Sequence, residues 1–153
     1  LENWRTGELK DHFTDSPLHQ FTDSPIHHFT NSPMYQYSFE KLEVWQLARS
    51  LTKELYSLTN SYPAEEKFGL TSQIRRATIS ISNNLAEGSA RKTSRDQVVF
   101  TTYAFSSLME VLNMIILSLD LELISEVEYN RIRPMIDELA NKVNALRIVQ
   151  GNR

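Results

Sequence analysis

The chain has 153 residues, 41% hydrophobic and 23% charged, which is enough for one ordinary soluble core. It has no cysteine, which excludes disulfides, thiolate metal sites and cysteine nucleophiles. The net charge of −3 comes from residues 1–37, where two cations face five anions, so residues 38–153 are neutral and a nucleic-acid site must be a local cluster. The opening residues lack the basic start and apolar run of a secretory signal, so we expect a cytoplasmic protein.

The N-terminal segment contains a short repeat. From His12 the chain reads HFTDSPLH, QFTDSPIH and HFTNSPMY, with a proline in every unit. Each Ser-Pro step disfavours helix, and the preceding Asp or Asn favours a turn. We therefore predict a disordered or extended FTDSP-repeat leader over residues 1–37. All four histidines lie in it, but their spacing follows from the duplication, so a metal-binding tail is the less favoured interpretation.

Two amphipathic helices are predicted after the leader. Apolar residues recur every three or four positions from Ser38, the expected N-cap, until Asn60–Pro63 break the pattern. The next segment begins at Leu70, and Gly88 is expected to end it in a left-handed conformation. Ile79 lies off the core stripe of this second helix, which indicates a second packed surface. The two predicted core stripes are Phe39, Leu42, Trp45, Ala48, Leu51, Leu55 and Leu58, then Leu70, Ile74, Ala77, Ile81 and Leu85.

The third predicted helix is apolar nearly all round. Thr93 and Asp96 form its N-terminal cap, and it runs to about Leu119. A membrane span is one interpretation, because the segment is long enough. Glu110 near its centre would be costly in hydrocarbon, so we favour burial partly inside the bundle and partly against another subunit. We predict a homo-oligomer whose interface includes Ile79, Phe100 and Phe105.

Ser125 and Glu128 form a capping box for a fourth helix, and Pro134 is expected to bend that helix without ending it. Its predicted buried face comprises Val127, Ile132, Met135, Ile136, Leu139, Val143 and Leu146. Four helices with short links predict an all-α, antiparallel up-down-up-down four-helix bundle. We assign the bundle to residues 38–149 and a short C-terminal tail to residues 150–153.

The sequence offers little for catalysis. A di-iron bundle needs histidines, and none follows His28. Glu87 and Glu110 are more simply explained as solvated helix residues than as an acid/base pair. Ser-Ala-Arg-Lys at residues 89–92 matches a penicillin-binding motif, but its companion motifs are missing. Four glycines in the chain cannot form a phosphate cradle. We expect no catalytic residues, no metal and no cofactor.

The remaining polar feature is a set of five cations, and there are two interpretations of it. The cations could pair with Glu65, Glu66 and Glu87 as ordinary surface charge, or they could form a phosphate-binding corner. We expect the reversal after Gly88 to bring them onto one corner, which an oligomer would repeat around its axis. Because no aromatic residue lies between Phe68 and Phe100, binding should not read bases. The five are Arg75, Arg76, Arg91, Lys92 and Arg95.

Three segments carry a family resemblance. FEKLEVWQLA, YPAEEKFGLTSQIRRATISISNNLAEGSARKT and AFSSLMEVL resemble the four-helix bundle proteins encoded by intervening sequences in bacterial 23S rRNA genes, over about residues 39–148. The resemblance implies a ring-shaped pentamer and a relationship to accessory proteins of diversity-generating retroelements, which bind a reverse transcriptase and nucleic acid. It supplies no catalytic residues. Ser106-Ser107 departs from the family's common Gly-Ser, and the repeat leader lies outside the family pattern.

These observations favour a non-enzymatic, homo-oligomeric module that binds RNA, DNA or a nucleic-acid enzyme. The alternatives are a structural or selfish intervening-sequence product with no ligand, an accessory protein to a reverse transcriptase, and an enzyme.

Overall fold

The computed structural model describes residues 34–152. The chain divides into two units, residues 1–34 and residues 35–153, and the four α-helices described below belong to the second unit. Residues 1–33 of the predicted leader, with all four histidines, lie outside the described residues. The prediction for that segment therefore stays a prediction.

Within residues 34–152 every regular element is helical, as predicted. The four α-helices are α1 (Glu43–Leu58), α2 (Leu70–Ser89), α3 (Ser94–Asp120) and α4 (Glu126–Gly151). Short 3-10 turns precede α1 at Ser38–Lys41 and α2 at Ala64–Lys67. The predicted all-α fold class is therefore confirmed.

Contacts between helices show that neighbours in the chain are antiparallel. α1 packs on α2 and α4, and α3 packs on α2 and α4, so the pairs α1/α3 and α2/α4 are diagonal. Thr101 at the start of α3 donates to Gln150 at the end of α4, with 2.7 Å between their oxygens. Glu43 at the start of α1 pairs with Lys142 in the second half of α4 at 2.8 Å. The arrangement is an up-down-up-down four-helix bundle.

The core follows the predicted periodicity closely. Each helix turns one apolar stripe inward, and burial of these side chains is the main stabilising contribution. The largest fully buried apolar side chains are Leu51, Leu55, Ile74, Ile81, Leu108, Val111, Ile115, Ile132, Ile136, Leu139 and Val143. Val127 is a wrong prediction, because it is 78% exposed in the first turn of α4.

The helix starts confirm two of the three predicted caps. Asp96 donates its backbone N–H to Thr93 Oγ1 at 3.1 Å, and Ser125 and Glu128 form a full capping box. The hydrogen bonds from the backbone N–H and hydroxyl of Ser125 lower the pKa of the Glu128 carboxyl. Ser38 does not cap α1, because a 3-10 turn and an extended Leu42 intervene before the helix starts.

Helix α4 is longer than the sequence predicts. Pro134 lies inside it without ending it, as expected. The helix then continues through Gly151, past the predicted start of the tail at residue 150. The reason is the bond from Thr101, which holds the buried Gln150 side chain and gives the last turn a packed partner.

Gly88 has a different role from the one predicted. It lies in the last turn of α2 and is buried, and no glycine among the described residues has a positive φ. A Cβ on Gly88 would lie 2.9 Å from Cβ of Phe100 on α3. Glycine is therefore used here for close helix packing rather than for a left-handed cap.

A second close contact lies further along the same helix pair. The hydroxyls of Ser80 and Ser107 are 2.9 Å apart, and the Asn84 amide donates to the Ser80 carbonyl at 2.8 Å. We call the contacts of Ser80 and Gly88 with Ser107 and Phe100 the α2–α3 seam. Small side chains and one glycine allow the two backbones to approach closely along it.

We predict that Gly88→Ala destabilises the bundle although alanine favours helix. The added methyl would meet Cβ of Phe100, which is fixed to its backbone and cannot rotate away. We expect the free energy of unfolding to fall by about 1–2 kcal/mol. Guanidinium unfolding at fixed protein concentration measures it.

Gly151→Ala is the matched control, because nothing lies within 4 Å of a Cβ at that position. Its effect should stay within about 0.5 kcal/mol. If Gly88→Ala stabilises the protein as much as helix propensity alone allows, the seam is not a steric constraint.

Candidate nucleic-acid interface

The structure does not bring the five predicted cations onto one corner. Arg75 and Arg76 lie near the start of α2, whereas Arg91, Lys92 and Arg95 follow its end. Ser89 lies thirteen positions after Arg76 on α2, which is a rise of about 20 Å along the helix. The expectation of a single corner is therefore wrong: the helix is too long for the reversal to close that distance. We call Arg91, Lys92 and Arg95 the basic turn.

Arg75 is occupied in holding the link between α1 and α2. Its guanidinium donates to Thr59 Oγ1 and Asn60 Oδ1, both at 2.9 Å, and lies 4.8 Å from the ring centroid of Tyr56. Arg76 is exposed and donates to Gln73 one turn earlier. These contacts explain Arg75 as a residue that stabilises the link between α1 and α2.

The backbone of the basic turn is fixed from both sides. The Arg91 N–H donates to the Gly88 carbonyl at 3.1 Å, and the Gln97 amide donates to the Arg91 carbonyl at 3.0 Å. Thr93 and Asp96 then start α3 with their mutual hydrogen bonds. The cations are therefore presented from an ordered reversal.

Arg91 is partly engaged inside its own subunit. It pairs with Glu87 one helical turn before it, and its guanidinium carbon lies 4.3 Å from the ring centroid of Phe100. Both partners are on the exposed side of the bundle, so the ion pair is worth little. Phe100 packs on Gly88 through its Cβ, so the seam also sets the position of this arginine.

Lys92 and Arg95 are the freer members of the basic turn. Both are exposed, and neither forms an ion pair within residues 34–152. Arg95 borders a groove of about 460 Å³ between the start of α3 and the end of α4. The groove is lined by Ser94, Arg95, Val98, Val99, Gln150 and Gly151.

Charge is divided unevenly along the bundle. We call residues 38–50, 81–107 and 139–152 the basic end, since the antiparallel helices place them together. It holds seven cations and four anions, a net charge of +3. Residues 51–80 and 108–138, the acidic end, hold six cations and ten anions, a net charge of −4. The bundle has no net charge over residues 38–153, but its two ends carry opposite net charges.

The three predicted interface residues differ in their surroundings. Ile79 is 39% exposed on the outer face of α2. Phe100 is half-buried between Gly88, Arg91 and Tyr103. Phe105 packs against the core, and the Arg147 guanidinium lies 5.2 Å from its ring centroid. The structure therefore provides contacts within the chain for both phenylalanines and leaves Ile79 the most open of the three.

The described residues also bear on two other functions, metal binding and membrane insertion. No group of three or more His, Asp or Glu side chains in residues 34–152 is arranged to hold a metal ion. In the same part of the chain, α3 alone is long and apolar enough to cross a membrane, a test that the core helix of a soluble bundle also passes.

Two contributors to the site were missed from the sequence. Gln97 fixes the Arg91 carbonyl, and nothing in the local pattern indicates that bond. Tyr103 lies on the helix that is apolar nearly all round, yet it is 55% exposed. Its position two helical turns after Arg95 on the same helix face is a signal that could have identified it.

A family model described as 23S rRNA-intervening sequence protein matches residues 40–145. The match includes α1, α2, α3 and most of α4, and the chain therefore belongs to this family. A comparison with curated proteins gave no match.

Proposed function

We propose that this member of the 23S rRNA-intervening sequence protein family is a non-enzymatic, homo-oligomeric module that binds the phosphates of RNA or DNA at its basic end. The observation that carries the proposal is the charge division along the bundle, with the basic turn on its positive end. Clustered cations attract nucleic acid without reading sequence.

The exposed cations favour binding over ordinary charge pairing. Lys92 and Arg95 have no carboxylate partner within the described residues, and Arg91 shares only the exposed Glu87. A binder that uses phosphate contacts needs such open, ordered cations. An accessory role beside a reverse transcriptase would use the same surface, whereas a structural product with no ligand would leave it unused.

Oligomerisation is supported by the apolar surface of α3. One third of the residues in its most apolar 18-residue stretch are fully buried within the chain, and the others are half-buried or exposed. Ile116, Leu117 and Leu121 are exposed at its C-terminal end, and Ile79 is exposed on α2. Covering such surface is favourable. The number five rests on the family resemblance alone, as does the link to a reverse transcriptase. We place the module in the cytoplasm.

We predict a mass near five chains by light scattering after size exclusion. Leu117→Glu should lower that mass, because a charge would then be buried in the subunit contact. Ile148→Glu, which introduces the same charge at an exposed position of α4, is the control and should leave the mass unchanged. A clean wild-type monomer at micromolar concentration would contradict the proposal.

We predict roughly micromolar, sequence-tolerant binding of a fluorescent RNA or DNA oligonucleotide, weakening steeply with salt. The triple change Arg91→Ala, Lys92→Ala, Arg95→Ala should weaken binding. It should also lower the slope of log affinity against log salt by about 2 for a single strand, since three phosphate contacts are lost. Anisotropy titrations at several salt concentrations measure both.

The matched control is Lys53→Ala, Lys67→Ala, Arg76→Ala, which removes the same charge from the acidic end. It should change affinity far less. Equal losses in the two triple variants would show that net charge, and not the basic end, governs binding. No wild-type binding at low salt would leave the basic turn as solvated surface charge.

A further inference from the structure

An exposed aromatic residue stands in line with the basic turn. Arg95, Val99 and Tyr103 recur at intervals of four residues on α3, and Val99 and Tyr103 are both exposed. The row spans about 12 Å, which corresponds to three to four stacked nucleotides at about 3.4 Å each. A cation at one end and an aromatic ring at the other are the two elements that single-stranded binding surfaces combine.

The ring of Tyr103 is held in place. It meets Phe100 edge to face, with 6.0 Å between ring centroids and 84° between planes. Phe100 is itself fixed by Gly88 below it and by the Arg91 guanidinium beside it. Such a pair restricts the tyrosine side chain before any ligand arrives, so a stacking partner would have less entropy to overcome.

Tyr103 is exposed, and its nearest neighbours along α3 carry no charge. The neighbours of Tyr103 one turn away on α3 are Val99, Phe100, Ser106 and Ser107, none of them charged. The cations of the basic turn lie toward the start of α3, and the groove of about 460 Å³ borders Val99. A strand whose phosphates follow Arg95 could therefore place a base against the tyrosine face.

We propose that Tyr103 is a base-stacking residue, so that the basic end prefers single-stranded RNA or DNA to duplex. This inference rests on the proposed nucleic-acid binding and adds the class of ligand. It replaces the expectation that bases are not read, which rested on the absence of aromatic residues between Phe68 and Phe100. Tyr103 follows that stretch on α3, directly behind the basic turn.

The test compares a 12-nucleotide oligo(U), the duplex of the same length and an abasic deoxyribose-phosphate 12-mer. Tyr103→Ala should weaken oligo(U) binding about tenfold, equivalent to about 1.4 kcal/mol and within the range for stacking of one base. Duplex and abasic binding should not change, and the salt slope should stay constant because no phosphate contact is lost. Tyr103→Phe should bind like the wild type.

Phe68→Ala is the matched control. Phe68 is 83% exposed beside Lys67, with the ammonium 5.5 Å from its ring centroid, but it lies at the acidic end. Its replacement should leave oligo(U) binding unchanged.

Three outcomes would overturn the inference, and each identifies a different step that fails. If the basic-turn triple weakens binding while Tyr103→Ala has no effect, phosphate binding stands and base stacking fails. If Tyr103→Ala weakens all three ligands alike, or lowers the mass of the oligomer, the tyrosine is structural. If the wild type binds none of the ligands at low salt, the proposed function fails together with the inference.

Discussion

The close approach of α2 and α3 is the constraint on which the rest of the candidate site depends. Because Gly88 has no side chain, Phe100 can pack against it at one end of the seam. At the other end the hydroxyls of Ser80 and Ser107 are in contact and hold the two helices together. Phe100 in turn supports the Arg91 guanidinium and the Tyr103 ring. One packing contact thus positions a cation on one side and an aromatic residue on the other. A larger residue at position 88 would displace both.

The polarity of the bundle follows from topology as much as from composition. In an antiparallel bundle, the start of α1, the end of α2, the start of α3 and the end of α4 share one end. Seven cations meet four anions there, while ten anions meet six cations at the other end. Neither value is visible in the net charge of the chain. Electrostatic attraction of a polyanion depends on such local fields and falls with salt.

The fold could be predicted from sequence because helix periodicity and caps are local signals. Residues three or four positions apart form the caps at Thr93 and Ser125, and the same spacing produces the buried stripes. The wrong prediction for Gly88 concerns a residue whose role depends on contacts between helices. Gly88 matched a C-cap signal, but the position of Phe100 on the next helix decides its role. Val127 was assigned to the buried stripe, but nine residues at about 100° each place it on the side of α4 opposite Ile136, where it is exposed.

The candidate site was harder to predict, because whether its residues lie close together depends on the lengths and relative positions of the helices. Arg75 and Arg91 both lie near an end of α2, but these are opposite ends of the helix. The bonds from Arg75 to Thr59 and Asn60 explain that residue without a ligand. Tyr103 lies outside the basic segment in sequence and beside it in space. Partner contacts of this kind require the relative placement of helices, which periodicity does not supply.

Nucleic acid is proposed to bind at the basic end of the bundle and not at the acidic end. Photo-crosslinking of a 4-thiouridine oligonucleotide to the full chain, followed by peptide mass spectrometry, locates the bound strand. Crosslinks are expected in residues 91–103 and the end of α4, and none in residues 53–76. Crosslinks confined to residues 53–76 or 120–138, or no crosslinks at low salt, would contradict the proposed binding.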